Sequence, residues 1–464
     1  MKSTSNKTIL NLTIKTQTSE TNGLYDYTSN ESAISEKNIQ LKESFYIIRK
    51  NNDIFKIDQN YQFKDETIGQ ILFYARKSLK NNHNFEIVNP ISKKKLEKNK
   101  SNIDDLNRRP WLIVNSKNAI YNENEDYNVQ ENDIIKLGDV KYEIIKKSIS
   151  VKENKDVKSD DQEEYNISKM NKERGSIFNI DIKKNQYRLN ENIISIKKEI
   201  KEDYSSNNNS FKNNLLNKEE REKDIKNEEN EIEKCRICFE TKSTKENPKI
   251  RLCSCHDFVH FECLKAYLNR KTEAQENTKK KIITYTCKNF NCEVCYKPYP
   301  LRFRIPEYDR IYELIDLNKP SELDYIILES LDFIKDNINN LKIIHVVTLN
   351  EDEIKIGRNE LNDIIDPDIS VSRKHAILKF NKKTGKLNLE NLSEKYGTLI
   401  LIKGNIKMKE KKIHIQVGKS YIQAHLKKDK SDLTDSESKC QADTYNSEYI
   451  SSDYSNIPSH SEEL

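Results

Sequence analysis

The chain has 464 residues, with Lys plus Arg at 80 against Asp plus Glu at 75, a net charge of +5, and only 35% hydrophobic residues. A mean hydropathy of −0.89 leaves apolar material for two or three small domains on long polar connectors, not for one large core. Charges of both signs are interspersed rather than gathered in a basic stripe, which argues against nucleic acid as a direct partner.

Met1 to Lys15 lacks the apolar core of a signal peptide, and no run approaches the roughly 18 apolar residues of a membrane helix. The expected protein is soluble, touches no membrane and is intracellular, in cytoplasm, nucleus or both. Residues 1–40, rich in Ser, Thr and Asn without sustained periodicity, read as disordered.

From 41 to 148 short apolar runs predict a β-rich domain. They include Trp111-Leu112-Ile113-Val114 and the alternating Ile135, Leu137, Val140, Tyr142 and Ile144 around Gly138, with one helix expected near Ile68 to Leu79. Residues 149–232, dominated by Lys, Glu, Asn, Asp and Ser, read as a charged linker in which Asn217 to Lys223 could form a solvated helix. A cysteine-rich segment occupies 233–300, and a connector over 301–321 looks helical around Asp309 to Leu317. A second β region fills 322–427, and the acidic, Ser-rich tail 428–464 reads as disordered.

One internal echo stands out. Ile134-Ile135-Lys136-Leu137-Gly138, followed by Val140 and Tyr142, parallels His414-Ile415-Gln416-Val417-Gly418, followed by Ser420 and Ile422. The first β domain therefore reads as a diverged copy of the last.

Eight of the nine cysteines lie between Cys235 and Cys295, and in a reducing compartment such clustering indicates metal rather than disulfides. The order suits two interleaved tetrahedra, Cys235, Cys238, His260 and Cys263 for one Zn²⁺ and Cys253, Cys255, Cys292 and Cys295 for the other. A segment of about 60 residues with so few large apolar groups must draw much of its stability from metal. His256 and Cys287 compete as ligands. The spacing prefers His260, which pairs with Cys263, and Cys292, whose distance to Cys295 repeats that of Cys235 to Cys238.

The segment resembles the RING-CH fingers of ubiquitin ligases. The resemblance rests on Cys235-Arg236-Ile237-Cys238-Phe239-Glu240, the single Ser254 between Cys253 and Cys255, Cys263-Leu264-Lys265-Ala266-Tyr267, and Cys292-Glu293-Val294-Cys295-Tyr296-Lys297-Pro298-Tyr299. It implies a finger that docks a ubiquitin-conjugating enzyme and holds the ubiquitin thioester in reactive geometry, catalysing by position with no catalytic side chain of its own. Ile237, Tyr267 and Pro298 would contact the conjugating enzyme. Three features depart from the family: a short gap from Cys255 to His260, Tyr267 where Trp is common, and Tyr296 where many active fingers carry a basic residue. The short gap, with Phe290, also fits a plant homeodomain finger, a histone-tail reader, but the single residue between Cys253 and Cys255 argues against it.

The last β region resembles a forkhead-associated (FHA) domain through Ile356-Gly357-Arg358, Asn362-Asp363-Ile364, Ser370-Val371-Ser372-Arg373-Lys374-His375-Ala376, and Asn391-Leu392 before Tyr396-Gly397-Thr398. Phosphothreonine recognition needs charge-assisted donors on rigid loops, and two guanidiniums and a hydroxyl suit it. The resemblance implies that Arg358, Ser372 and Arg373 contact the phosphate while Gly357 and His375 shape their loops. Lys395 and Tyr396 stand where the family commonly has Thr and Asn; Lys395 would be a further phosphate contact. The first β domain has no Gly-Arg followed by Ser-Arg-x-His, so no phosphate site is expected there.

The expected architecture is multidomain. It comprises a small zinc-stabilised α+β cross-brace finger, a C-terminal all-β FHA sandwich, an N-terminal β-rich, FHA-like domain, and long disordered linkers. The expected function is a RING-type ubiquitin-protein ligase selecting phosphothreonine partners, coupled to them by effective concentration. The alternative is a scaffold in which both modules bind and no ubiquitin moves. Thr434, followed by Asp435, Ser436 and Glu437, is a candidate kinase site for the same phosphate reader.

Overall fold

In the computed structural model of the chain, residues 8–19, 24–60, 71–77, 85–89, 106–114, 127–149, 178–179, 234–255, 257–336, 339–350, 353–408 and 412–428 are described. The protein is mostly β-sheet. The expected helix near Ile68 to Leu79 is instead the strand Ile71–Lys77, paired on both sides with Phe45–Lys50 and Phe85–Val88. Its run of Ile71, Leu72, Phe73 and Ala75 is buried, and bulky apolar side chains on a doubly paired strand outweigh a weak helical period.

Disorder over 1–40 is likewise corrected for its described residues, 8–19 and 24–40. Thr8–Gln17 is a strand whose buried Leu10, Leu12 and Ile14 alternate with half-buried neighbours, the period-2 pattern of a strand with one face on a core. It pairs with Ile34–Leu41 on one side and, across the whole chain, with Ser420–Lys428 on the other.

Two β-sandwiches result. The first packs Leu12, Ile14, Ile47, Phe73, Phe85 and Ile87 from the N-terminal strands against Ile415, Val417, Ile422 and Ala424 from the C-terminal hairpin. Its second sheet runs Asp53–Asp58, Phe45–Lys50, Ile71–Lys77, Phe85–Val88, Ile406–Lys407. The other sandwich packs Ile354, Ile356, Leu378, Phe380, Leu387 and Leu389 against Ile135, Leu137, Tyr142 and Ile144. Its second sheet runs Ile364–Ile365, Glu353–Gly357, Ala376–Asn381, Lys386–Asn391, Tyr127–Asn128.

Strand pairing thus crosses the expected boundaries. The strands of 127–148 complete a sandwich with 325–401, while those of 406–428 complete the sandwich of 8–88. Pro110–Ile113 and Thr398–Leu401 pair with each other and join both into one 13-stranded sheet.

The cysteine-rich segment is built around the helix Phe261–Arg270, whose buried Phe261, Leu264 and Leu268 form one apolar stripe and whose first turn carries Glu262, favourable at the positive end of the helix dipole. Next comes the hairpin of Thr272–Asn277 and Ile282–Lys288. Its second strand pairs with Asn339–Thr348 along seven residues, Ile282 opposite Val347 through Lys288 opposite Leu341. Finger and sandwich therefore share a sheet, and Ile145, Ile327, Ile344 and Val346 enter the finger's core.

The helical reading of the connector is also corrected. Arg302–Ile305 and Arg310–Glu313 form a hairpin turned by a short 3₁₀ segment and by Asp309 at φ 46, and its Phe303, Ile305 and Tyr312 are buried in the finger's core. Burial alternates along Arg302–Ile305, where Phe303 and Ile305 point one way at the strand period of two. Phe178–Asn179 adds a parallel strand to this hairpin, so the 149–232 segment contributes at least that strand. The segment Asn217 to Lys223, the tail beyond residue 428 and Thr434 lie outside the described residues.

Candidate functional site

Three loops of the second sandwich, those of Arg358, of Ser372 and Arg373, and of Lys395, carry the residues singled out for phosphate. Arg358 follows the strand Glu353–Gly357; its amide donates to the Ser372 carbonyl at 3.0 Å and its Nε donates to the Val371 carbonyl at 3.2 Å. These bonds clamp the Arg358 loop onto the loop of Ser372 and Arg373. Gly357 is required by close approach, since a Cβ there would lie 2.6 Å from the Arg373 carbonyl oxygen. The buried Asn362 reinforces the contact, its amide nitrogen donating to the carbonyls of Asn359 and Arg373, each at 2.7 Å. Arg358 and Arg373 are exposed and Ser372 half-buried.

His375 organises the centre. The Ser372 amide donates to its Nδ1 at 2.9 Å, and its Nε2 lies 2.9 Å from the Gly397 carbonyl. With Nδ1 accepting, Nε2 carries the proton. Burial pushes this imidazole down to about 4, against a smaller upward effect of the Gly397 carbonyl, so it is neutral at physiological pH. Ser372 Oγ lies 2.8 Å from Ser393 Oγ, and Asn391 holds its own loop by accepting from the Ser393 amide at 2.9 Å and from Thr398 Oγ1 at 2.9 Å.

Lys395 is exposed at the tip of the loop ending in Gly397, which has φ +67, a conformation that favours glycine. Lys395 lies 4.9 Å from the Tyr396 ring centroid and 3.7 Å from an Asp26 carboxylate oxygen. The Tyr27 amide donates to the Lys395 carbonyl at 2.8 Å. The opposite loop is also held from outside: Asp139 N donates to Ser370 Oγ at 2.8 Å, and Tyr142 OH donates to the buried Asp366 carboxylate at 2.6 Å. Nothing in the local sequence pattern signals Asp26, Tyr27, Asp139 or Tyr142; each is more than 200 residues from its partner.

The cysteine segment brings together Cys235, Cys238, His260 and Cys263 in one group and Cys253, Cys255, Cys292 and Cys295 in another, with the ligand atoms of each group within 4.8 Å of one another. His260 Nδ1 faces Cys238 Sγ at 3.2 Å, and Nε2 lies 2.7 Å from the Lys242 carbonyl. A proton held on Nε2 by that carbonyl leaves the Nδ1 lone pair directed at a metal, the usual outer support of a ligating histidine. Cys235 Sγ accepts the amides of Ile237 at 3.4 Å and His260 at 3.3 Å. Burial works against ionisation of Cys292, but amides of Cys295 and Val294 and the Arg236 guanidinium outweigh it and pull its thiol down to about 5. Each group could hold one metal ion.

Cys287 stands apart, fully buried on its strand with Sγ 3.8 Å from the Leu268 carbonyl; His256 lies outside the described residues. Arg236, unremarked in the sequence, bridges the two groups: it sits between Cys235 and Ile237 and donates to Cys292 Sγ at 3.6 Å and Tyr299 OH at 3.0 Å. Ile237 and Pro298 are exposed, while Tyr267 is half-buried and bonded to Glu293 and Lys271. Phe239, Val294 and Tyr296 are also exposed, at 72%, 66% and 74%, so both Cys-x-x-Cys turns carry apolar side chains in water.

Among the described residues no helix is long and apolar enough to cross a membrane. Comparison with curated proteins gives no match to this chain. Residues 354–418 match the family model of the FHA domain, the module that recognises phosphothreonine peptides.

Proposed function

We propose that this protein is a phosphothreonine-directed RING-type ubiquitin-protein ligase. The observation that carries the reading half is the exposed pair Arg358 and Arg373, on loops joined by backbone bonds from the Arg358 amide to the Ser372 carbonyl at 3.0 Å and from the Asn359 amide to the Arg373 carbonyl at 3.1 Å, in a segment that matches the FHA family. Two guanidiniums and the Ser372 hydroxyl on rigid loops suit a phosphate dianion at small ordering cost.

The transfer half rests on the cysteine segment. Zn²⁺ is the ion that three thiolates with one imidazole, and four thiolates, suit best. Cys235, Cys238, His260 and Cys263 would hold one and Cys253, Cys255, Cys292 and Cys295 the other, giving a closed, structural pair with no open position for chemistry. The exposed apolar side chains on the metal-binding turns, Ile237 above all, suit a ubiquitin-conjugating enzyme. Exposed apolar groups on a small rigid finger are costly unless they serve a contact. The sheet shared by finger and sandwich would fix the bound phosphoprotein relative to the conjugating enzyme, replacing a loose tether by fixed geometry.

The test is self-ubiquitination of the full chain with a panel of conjugating enzymes. Activity abolished by Cys235→Ser and by Ile237→Ala, and kept by Arg358→Ala, supports the ligase. Absence of transfer with every enzyme, in protein containing two zinc ions, supports the scaffold, to which the exposed Tyr296 would then belong as part of a non-catalytic binding face.

A further inference from the structure

The two sandwiches share a set of strand pairings that runs across the chain, although Asp53–Asp58 pairs antiparallel with its neighbour where Ile364–Ile365 pairs parallel. The hairpin of Ile134–Leu137 and Val140–Ser148 closes through Gly138, with Leu137 opposite Val140. That of Ile413–Val417 and Ser420–Lys428 closes through Gly418, with Val417 opposite Ser420. Both glycines have positive φ, +63 and +55. Pro110–Ile113 and Thr398–Leu401 pair antiparallel with Leu112 opposite Ile400, and each borders the other half's hairpin: Ile415 lies opposite Leu112 and Ile135 opposite Ile400. Tyr127–Asn128 pairs with Lys386–Asn391 as Ile406–Lys407 pairs with Phe85–Val88. A local two-fold relation through Leu112 and Ile400 accounts for all of these pairs at once.

The continuous stretch that matches the FHA family, 354–418, therefore does not form one sandwich. Its part up to Leu401 lies in the second sandwich, and Ile406–Lys407 and Ile413–Val417 lie in the first. Their places in the second are taken by Tyr127–Asn128 and Ile134–Leu137.

We infer that the chain holds two copies of one sandwich that have exchanged their C-terminal portions, so that the phosphate-reading site is completed by residues 127–148 rather than by 406–428. The exchanged hairpin reaches the site itself. The turn at Gly138 and Asp139 packs on Ser370, two residues before Ser372, and a Cβ on Gly138 would lie 2.5 Å from both Ser370 O and Ser370 Oγ. At the equivalent Gly418 the nearest atoms to an added Cβ belong to Arg49 and Asn107, at 3.4 Å and beyond. Exchange of equivalent elements costs little because each keeps its strand contacts. The consequence for binding rests on the phosphothreonine reading; the exchange does not.

Two measurements on the full chain decide it. The first is disulfide mapping by mass spectrometry of the zinc-loaded protein. Thr13 lies opposite Gln423, and aligning the hairpins at their turns makes Glu143 the counterpart of Gln423. Thr13→Cys with Gln423→Cys should cross-link within one chain, and Thr13→Cys with Glu143→Cys should not; the reverse would overturn the exchange.

The second is the affinity for a phosphothreonine peptide that the unaltered chain binds. Gly138→Ala should weaken it tenfold or more, while Gly418→Ala, which meets the same φ penalty, should leave it within twofold. Loss with Gly418→Ala and retention with Gly138→Ala would contradict the exchange. If the unaltered chain binds no such peptide, the phosphothreonine reading fails, and the cross-links still decide the exchange.

Discussion

The Ser372 amide donates to His375 Nδ1 at 2.9 Å, and the same ring's Nε2 lies 2.9 Å from the Gly397 carbonyl. One neutral side chain thus joins the loop of Ser372 and Arg373 to the loop of Lys395, both proposed to face the phosphate. His375→Ala should remove the partner of the Ser372 amide and of the carbonyl of the buried Gly397, costing about 2 to 4 kcal/mol of stability. It should also weaken phosphothreonine-peptide binding at least tenfold. Thermal unfolding and isothermal titration check the two effects separately.

Arg358→Ala should act differently. The residue is exposed, so stability should change by less than about 1 kcal/mol. Loss of a charge-assisted contact to phosphate should cost about 1.5 to 3 kcal/mol of binding, roughly tenfold to 150-fold in Kd. Arg358→Lys should recover little of it, because an ammonium does not reproduce the guanidinium fork. Titration of one phosphothreonine peptide against the three proteins measures the series.

Stability should depend on pH through two buried histidines. Burial pushes both His345 and His375 down to about 4 from an unfolded value of 6.5. Between those values the unfolded chain binds protons that the folded chain refuses. Stability should therefore fall as pH drops from about 6.5 toward 4, by up to roughly 3 kcal/mol for each group. The urea midpoint at pH 7 and pH 5 measures the loss, and His345→Gln should reduce its slope.

Metal removal should be felt beyond the finger. Ile282–Lys288 belongs to the finger and pairs with Asn339–Thr348 of the second sandwich, with Ile145, Ile344 and Val346 in a joint core. Chelation should therefore expose an edge of that sandwich and lower its melting temperature, as well as unfolding the metal-binding loops. Elemental analysis should give two zinc ions per chain before treatment. A sandwich melting temperature unchanged by chelation would show that the shared sheet contributes nothing.

Local chemistry was legible in the sequence and long-range assembly was not. Short spacing rules sort the ligand candidates into the two groups that the fold assembles, and Cys292 is preferred to the competing Cys287 because its distance to Cys295 repeats that of Cys235 to Cys238. The FHA motifs are similarly local, since Gly357-Arg358 and Ser372-Arg373 each sit on one loop. The strand pairing of Thr8–Gln17 with Ser420–Lys428 has no local signature: an alternating strand declares that it has a buried face but not which strand completes it. The parallel between Ile134 to Gly138 and His414 to Gly418 was the sequence's one trace of the repeat, and it could not say which sandwich each hairpin joins. The helices expected near Ile68 and Asp309 failed because short apolar runs fit either period.

Arg358, Ser372 and Arg373 are proposed to read phosphothreonine. The most direct measurement is binding of the full chain to a degenerate peptide library presented with phosphothreonine, phosphoserine or unmodified threonine at the fixed position. The expected result is selection of the phosphothreonine set, abolished by Arg358→Ala. Equal binding of all three sets, or selection that survives Arg358→Ala, would contradict it.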